Sequence, residues 1–173
     1  MADDPPRFSS SLERFPEHVQ AIGMVSVEFA NLEMFLGQML SALLDIPDHL
    51  GEIIYLTPKA TMGRLEILEN VIHDTLVADT EGLRLAENII KRAKSAIQKR
   101  HTMIHVAWVV TETTPEEVHH IQLPIKEKTV STPVPITSLT GFVRQIRKLS
   151  EDVRCITQMI KKSRRSTLRP KSL

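Results

Sequence analysis

Among 173 residues the chain has one cysteine, one tryptophan and one tyrosine, and aromatic side chains make up only 4% of it. With Cys155 alone, an intramolecular disulfide is excluded, and so is a cysteine-based zinc site. So few rings leave Leu, Ile, Val and Met to fill the interior, which favours helices packed through aliphatic side chains over an aromatic-rich sandwich. No run approaches the roughly 18 apolar residues expected of a membrane-crossing helix. The opening "MADDPPRF" is acidic and lacks an apolar signal core, so the expected location is the cytoplasm. What remains, 42% hydrophobic and 25% charged, is the ordinary composition of a globular domain.

The formal net charge of +1 hides an asymmetry. Residues 144–173 hold ten Lys or Arg against Glu151 and Asp152, a balance of +8, while the preceding 143 residues carry a balance of −7. Such a dipole can steer a polyanion toward one end of the molecule, although "KKSRRSTLRPKSL" equally has the composition of a solvated tail.

Apolar spacing predicts four long helices. Residues 1–15 show no sustained period and read as a flexible segment. From Pro16, which suits a first helical turn, Val19, Ile22, Ser26, Phe29, Leu32, Leu36, Met39 and Leu43 recur at three- and four-residue steps until "DIPD". A short helix capped by Asp45 and begun at Pro47 follows. A second long helix is expected over 58–77, with Met62, Leu65, Leu68, Ile72 and Leu76 inward. A third is expected over 81–105, capped by Asp79 or Thr80, with Leu83, Ala86, Ile90, Ala93, Ile97 and Ile104 buried. Its outer face is basic: Lys91, Arg92, Lys94 and Lys99. The period then changes. "VAWVVTE" and "VHHIQLP" flank "TTPEE" as a β-hairpin, and "STPVPITS" reads as an extended connector. A last helix over 139–163, capped by Thr137 or Ser138, carries Phe142, Ile146, Leu149, Val153, Ile156 and Ile160 on one stripe. The expected fold class is mainly α: an antiparallel four-helix bundle over 16–163, with a short extra helix, a β-hairpin before the last helix, and a basic tail over 164–173.

The stretch that holds chemistry is "KRHTMIHVAW". His101 and His105 are four apart and share a helix face, whereas Arg100 and His105 lie about 140° apart on an ideal helix. One chain therefore grips a ligand with both only if the helix unwinds, or if a second copy faces the first. "HTMIH" lacks the glutamate of the zinc-protease pattern, and a metal site needs a third ligand, for which His73, Glu69 or Glu33 would have to serve. A structural reading stands beside these: a protonated imidazole suits a helix C-terminus. His119 and His120, adjacent on a strand, point to opposite faces and read as surface. The isolated glycines of "LGEIIY" and "TMGRLE" make no phosphate cradle.

"RHTMIH" resembles the R-φ-x-x-x-H signature of the HEPN domain superfamily (higher eukaryotes and prokaryotes nucleotide-binding), with Arg100 as the arginine, His101 at the polar φ position and His105 as the histidine. Members are helical bundles that carry this signature near the end of an inner helix, and an early helix often supplies an acidic or polar residue. "FANLEMFL" resembles that element and makes Glu33 the candidate, with Asn31 and Glu28 behind it. The resemblance implies a metal-independent endoribonuclease with no cofactor, acting as a homodimer on RNA in a toxin–antitoxin or defence setting, with an antitoxin protein as a further partner. It assigns His105 to acid–base chemistry, Arg100 to the phosphate, and His101 and Glu33 to orientation. Lys91, Arg92, Lys94 and Lys99 would meet the RNA backbone. The alternative is a non-catalytic interaction or nucleotide-binding module of the same fold.

Overall fold

A computed structural model of the chain describes residues 8–9, 12–112, 114–122 and 130–167. It is mainly helical with a small antiparallel sheet. The elements run β1 (Phe8–Ser9), a 3-10 turn (Leu12–Arg14), α1 (Pro16–Leu44), α2 (Asp48–Leu56), α3 (Thr61–Thr75), α4 (Thr80–Ile104), β2 (Ala107–Thr111), β3 (Val118–Gln122), β4 (Val130–Pro133) and α5 (Ile136–Thr167). Where the sequence suggests one domain, packing falls into two compact units. One comprises the described parts of Met1–Glu28 and Lys99–Gln145, the other those of Phe29–Gln98 and Ile146–Leu173.

In the first unit the strands lie in the order β1-β2-β3-β4, all antiparallel. The expected hairpin is present, with Trp108 opposite His120 and Val110 opposite Val118. Two segments differ from expectation. Phe8 and Ser9, in the segment read as flexible, pair with Thr111 and Val110. The "STP" of the expected connector joins the sheet as β4, with Pro133 opposite His119. An edge strand tolerates a proline because its missing donor breaks no ladder bond. The reading of His119 as surface is also corrected. Val109, His119 and Ile121 share one buried face, and the His119 ring meets Thr114 Oγ1 through Nε2 and Ser131 Oγ through Nδ1, both at 2.9 Å. A buried imidazole needs partners at both nitrogens, and here it has them.

The long helices follow aliphatic spacing closely. On α5 all six predicted stripe residues, Phe142 to Ile160, are buried, each contributing roughly 1.5–3 kcal/mol of transfer free energy. The helix starts at Ile136, so Thr137 and Ser138 lie in its first turn rather than capping it, and it runs through to Thr167 into the expected tail. Residues 168–173 lie outside the described residues. On α4, Ala86, Ile89, Ile90, Ala93 and Ala96 are buried, and Asp79 is the cap, accepting from the Gly82 amide at 2.9 Å. On α3 the inner residues are Leu65, Leu68 and Ile72, while Met62 is 37% exposed.

On α1 the buried line is Ala21, Val25, Phe29, Leu32, Leu36, Met39, Leu40 and Leu43; Val19 and Ser26 are exposed. Centred on the C-terminal half of that line, Val19 falls about 120° round an ideal helix, which is why the simple spacing misplaced it. This helix also corrects the expectation that nothing is long and apolar enough to cross a bilayer: by length and composition α1 is. Within it, Glu33 is ion-paired.

Asp45 does not cap α2. It closes α1 in the left-handed region, φ 57°, with the Ile46 amide returning to the Ser41 carbonyl at 3.1 Å. Aspartate tolerates this conformation better than most residues. Helix α2 then lies against α1 by backbone contact. A Cβ built on Gly51 would overlap the Ser41 hydroxyl and come within 2.8 Å of the Gly37 carbonyl oxygen. The Ser41 hydroxyl is already committed, donating to the carbonyls of Gly37 (3.0 Å) and Asp48 (3.1 Å). Replacing Gly51→Ala should therefore destabilise the protein by about 1–3 kcal/mol despite alanine's better helix propensity. Chemical denaturation reads this directly, and an unchanged or raised midpoint would show that the two backbones separate freely.

Candidate functional site

The site begins where α4 ends. Its last turn stays closed: the His105 amide donates to the His101 carbonyl at 3.2 Å, although His105 itself has left the helix. Trp108, at the start of β2, turns back and donates its indole N–H to the Met103 carbonyl at 2.9 Å. That bond satisfies one of the carbonyls a helix end leaves bare and joins strand to helix. The rings of His101 and His105 lie side by side, centroids 4.8 Å apart and tilted by 48°, and both residues are exposed. Arg100 is half-buried, with its Nε shielded from solvent. Because the turn does not unwind, Arg100 and His105 remain on different sides of the helix axis. The two imidazoles are brought together; the arginine is not brought to them within the helix.

Glu33 lies in the other compact unit, where it accepts from Arg64 Nη1 at 2.5 Å. Arg64 also donates through Nε to the Pro58 carbonyl at 2.8 Å, so this arginine ties the loop before α3 to α1. Beside the pair, Tyr55 is fully buried, and burial together with the Glu33 charge pushes its phenol above its ordinary range. Its hydroxyl has no hydrogen-bond partner among the described residues.

The four cations assigned to RNA are differently placed. Arg92 binds Asp152 and Lys94 binds Glu69, each at 2.7 Å, and Lys99 stands 4.7 Å over the Phe142 ring. Lys91 is exposed. Ion pairs at partly exposed sites contribute little stability each, but they neutralise the basic face that α4 shows in the sequence. Further cations are exposed along α5, namely Arg147, Arg154, which lies 5.3 Å from the Phe35 ring centre, and Lys162, while Lys148 is exposed but paired with Asp152 at 3.0 Å. The excess charge of residues 144–173 signals these cations in the sequence; only burial shows which of them face outward.

Among the described residues no three His, Cys, Asp or Glu side chains cluster as metal ligands. The residues proposed as third ligands are otherwise engaged: Glu69 with Lys94, Glu33 with Arg64, and His73 beside Glu87 at 3.8 Å. A cleft of about 330 Å³ between the α1–α2 turn and α5 was not foreseen. Its cations are satisfied internally: Lys161 grips both Asp48 oxygens, and Arg164 donates to the Leu43 carbonyl and faces Asp45. No protein-family model, no curated protein and no solved structure matches the chain.

Two measurements test this electrostatic picture. Tyr55→Phe removes an unsatisfied buried hydroxyl and keeps the ring, so the urea midpoint should hold or rise, by up to about 1 kcal/mol in stability; a clear loss would reveal a partner for the hydroxyl. Burial raises the Asp152 carboxyl, but hydrogen bonds from Arg92 and Lys148 outweigh it and hold the group below its ordinary range. A carboxyl depressed by folding stabilises fully above its unfolded pKa and ceases to do so as pH falls through the native value. Wild type should thus exceed Asp152→Asn in stability at neutral pH, and the difference should close in acid. A constant difference down to strong acid would remove this linkage.

Proposed function

We propose that the chain is a metal-independent endoribonuclease of HEPN type, with Arg100 and His105 from two copies meeting in one cleft. The observation that carries the reading is the exposed His101–His105 ring pair on the closed last turn of α4, one residue beyond Arg100. Two imidazoles side by side, open to solvent and held by a capped helix end, supply groups able to take and to give a proton. RNA brings its own nucleophile. In the reaction His105 takes the 2′-OH proton, the oxygen attacks the adjacent phosphorus, and the 5′-oxygen leaves with a proton given by a protonated imidazole of the same cleft, yielding a 2′,3′-cyclic phosphate and a 5′-hydroxyl. Arg100, a planar donor, would meet the phosphate oxygens where negative charge gathers. Because one helix sets Arg100 and His105 on different sides, the arginine serving a given His105 is supplied by the second copy. Orientation falls to His101, since Glu33 is bound by Arg64.

Phosphate attraction in this reading comes from the exposed Lys91, Arg154 and Lys162 more than from Arg92 and Lys94, which are ion-paired within the chain. That same neutralisation of α4 favours a second reading, a helical interaction or nucleotide-binding module that does not cut RNA.

Cleavage of a labelled, structured RNA in EDTA separates the two. Wild type should cut and leave a cyclic phosphate, His105→Ala should cut at least about 100-fold more slowly with its helical signal intact, and added salt should weaken binding steeply. Equal cutting by both proteins would sink the assignment; cutting by neither would favour the module.

A further inference from the structure

One imidazole has no part in the proposed RNA chemistry. The ring of His119 is buried in the first unit between two hydroxyls, with Ser131 Oγ 2.9 Å from Nδ1 and Thr114 Oγ1 2.9 Å from Nε2. The carboxylate beside it stands at Nε2: Glu117 Oε2 is 3.4 Å from that nitrogen. This asymmetry sets the tautomer. A carboxylate repels a lone pair and attracts an N–H, so the proton of the neutral ring belongs on Nε2. Thr114 Oγ1 accepts from it and donates its own hydrogen to Thr111 Oγ1 at 2.6 Å, which also accepts from the Thr114 amide at 3.1 Å. Nδ1 keeps its lone pair, and the hydroxyl of Ser131 is the donor to it.

We propose that Ser131 is a nucleophile and that this cluster is a second reactive centre, which takes acyl groups from small uncharged carboxylic esters. A serine hydroxyl that donates to an imidazole, whose far N–H faces a carboxylate, is the arrangement that activates serine for acyl transfer. The backbone supplies a donor for the carbonyl oxygen. The Val134 amide donates to the Val118 carbonyl at 2.8 Å, which makes these two a hydrogen-bonded pair. Such pairs alternate along antiparallel strands, so three residues earlier the Ser131 N–H points away from β3. Among the described residues no strand lies beyond β4, and that amide is left for the oxygen of an acyl group on Oγ, where negative charge gathers. Ser131 is half-buried and its neighbours Thr132 and Pro133 are exposed, which gives an approach from this edge. Charge selects the substrate: acidic Glu117 at the ring and buried Ile121 opposite Ser131 disfavour a phosphodiester and suit a neutral ester. In the reaction Ser131 Oγ attacks the carbonyl carbon and Nδ1 takes its proton. The bond to the ester's alcohol oxygen breaks, and the proton leaves with the alcohol. Water then attacks the acyl-serine with Nδ1 as base, which releases the carboxylic acid and restores Ser131. Glu117 touches neither substrate nor Oγ and is a positioning residue.

The inference does not need the chain to cut RNA. Hydrolysis of p-nitrophenyl acetate by the purified full chain tests it. Wild type should release a burst of up to about one equivalent of p-nitrophenol, and an acid quench should leave an acetyl group on Ser131, located by peptide mass. Ser131→Ala should lose both burst and acetyl. Glu117→Gln, at an exposed position, should lower kcat roughly tenfold or more with KM unchanged. Should Ser131→Ala lose its fold, the place of the acetyl group in wild type and the Glu117→Gln kinetics still decide the matter. An acetyl group on Thr114 or elsewhere in place of Ser131, a burst kept by Ser131→Ala, or a kcat untouched by Glu117→Gln overturns the assignment. So does a folded wild type that gives neither burst nor acetyl. Each of these outcomes leaves the RNA cleavage assay to be decided on its own.

Discussion

The meeting of two backbones at Gly51 is the constraint from which much of the second unit follows. A close approach of main chain to main chain leaves no freedom in how α2 rolls on α1, because any rotation would bring a side chain where only hydrogen fits. Tyr55 must then point inward and the aliphatic residues of α2 outward. The Ser41 hydroxyl fastens the same junction, bridging carbonyls of both helices. Arg64 secures the exit by holding the Pro58 carbonyl and the Glu33 carboxylate at once. One glycine thus sets the orientation of a helix, the environment of the only tyrosine and the character of a surface.

Charge is arranged by a different logic. Read along the chain, α4 is a basic helix; in space Asp152 and Glu69 take two of its cations, and Phe142 lies beneath a third. Surface pairs of this kind are weak as stabilisers. Their effect is on the field, which they weaken along α4, and a polyanion would respond to that field before it touched any single residue.

Much of the helical order was legible because a 3.6-residue period leaves an unmistakable trace when the buried residues are all aliphatic. The stripe of α5 is the clearest case. The hairpin was legible from its change of period and its turn residues. Where the reading failed, the deciding contact was long-range or too local for a pattern. Val19 repeats correctly but belongs to the wrong side of a long helix. Asp45 looks like a cap and is a left-handed stop. Pro133 argues against a strand until its place on an edge is known. His119 looks like surface until a third strand brings Ser131 to its ring. At the candidate site, the shared face of His101 and His105 followed from their spacing, whereas the fates of Glu33, Arg92 and Lys94 depended on partners 25 to 60 residues away.

The indole of Trp108 closes the last turn of α4, and it is the only tryptophan in the chain. Its light emission therefore carries no contribution from any other indole. Whatever disturbs the helix end that bears Arg100, His101 and His105 must change the surroundings of this one ring. The protein has, in effect, a built-in optical probe at the place where its chemistry would occur, readable without label or substitution.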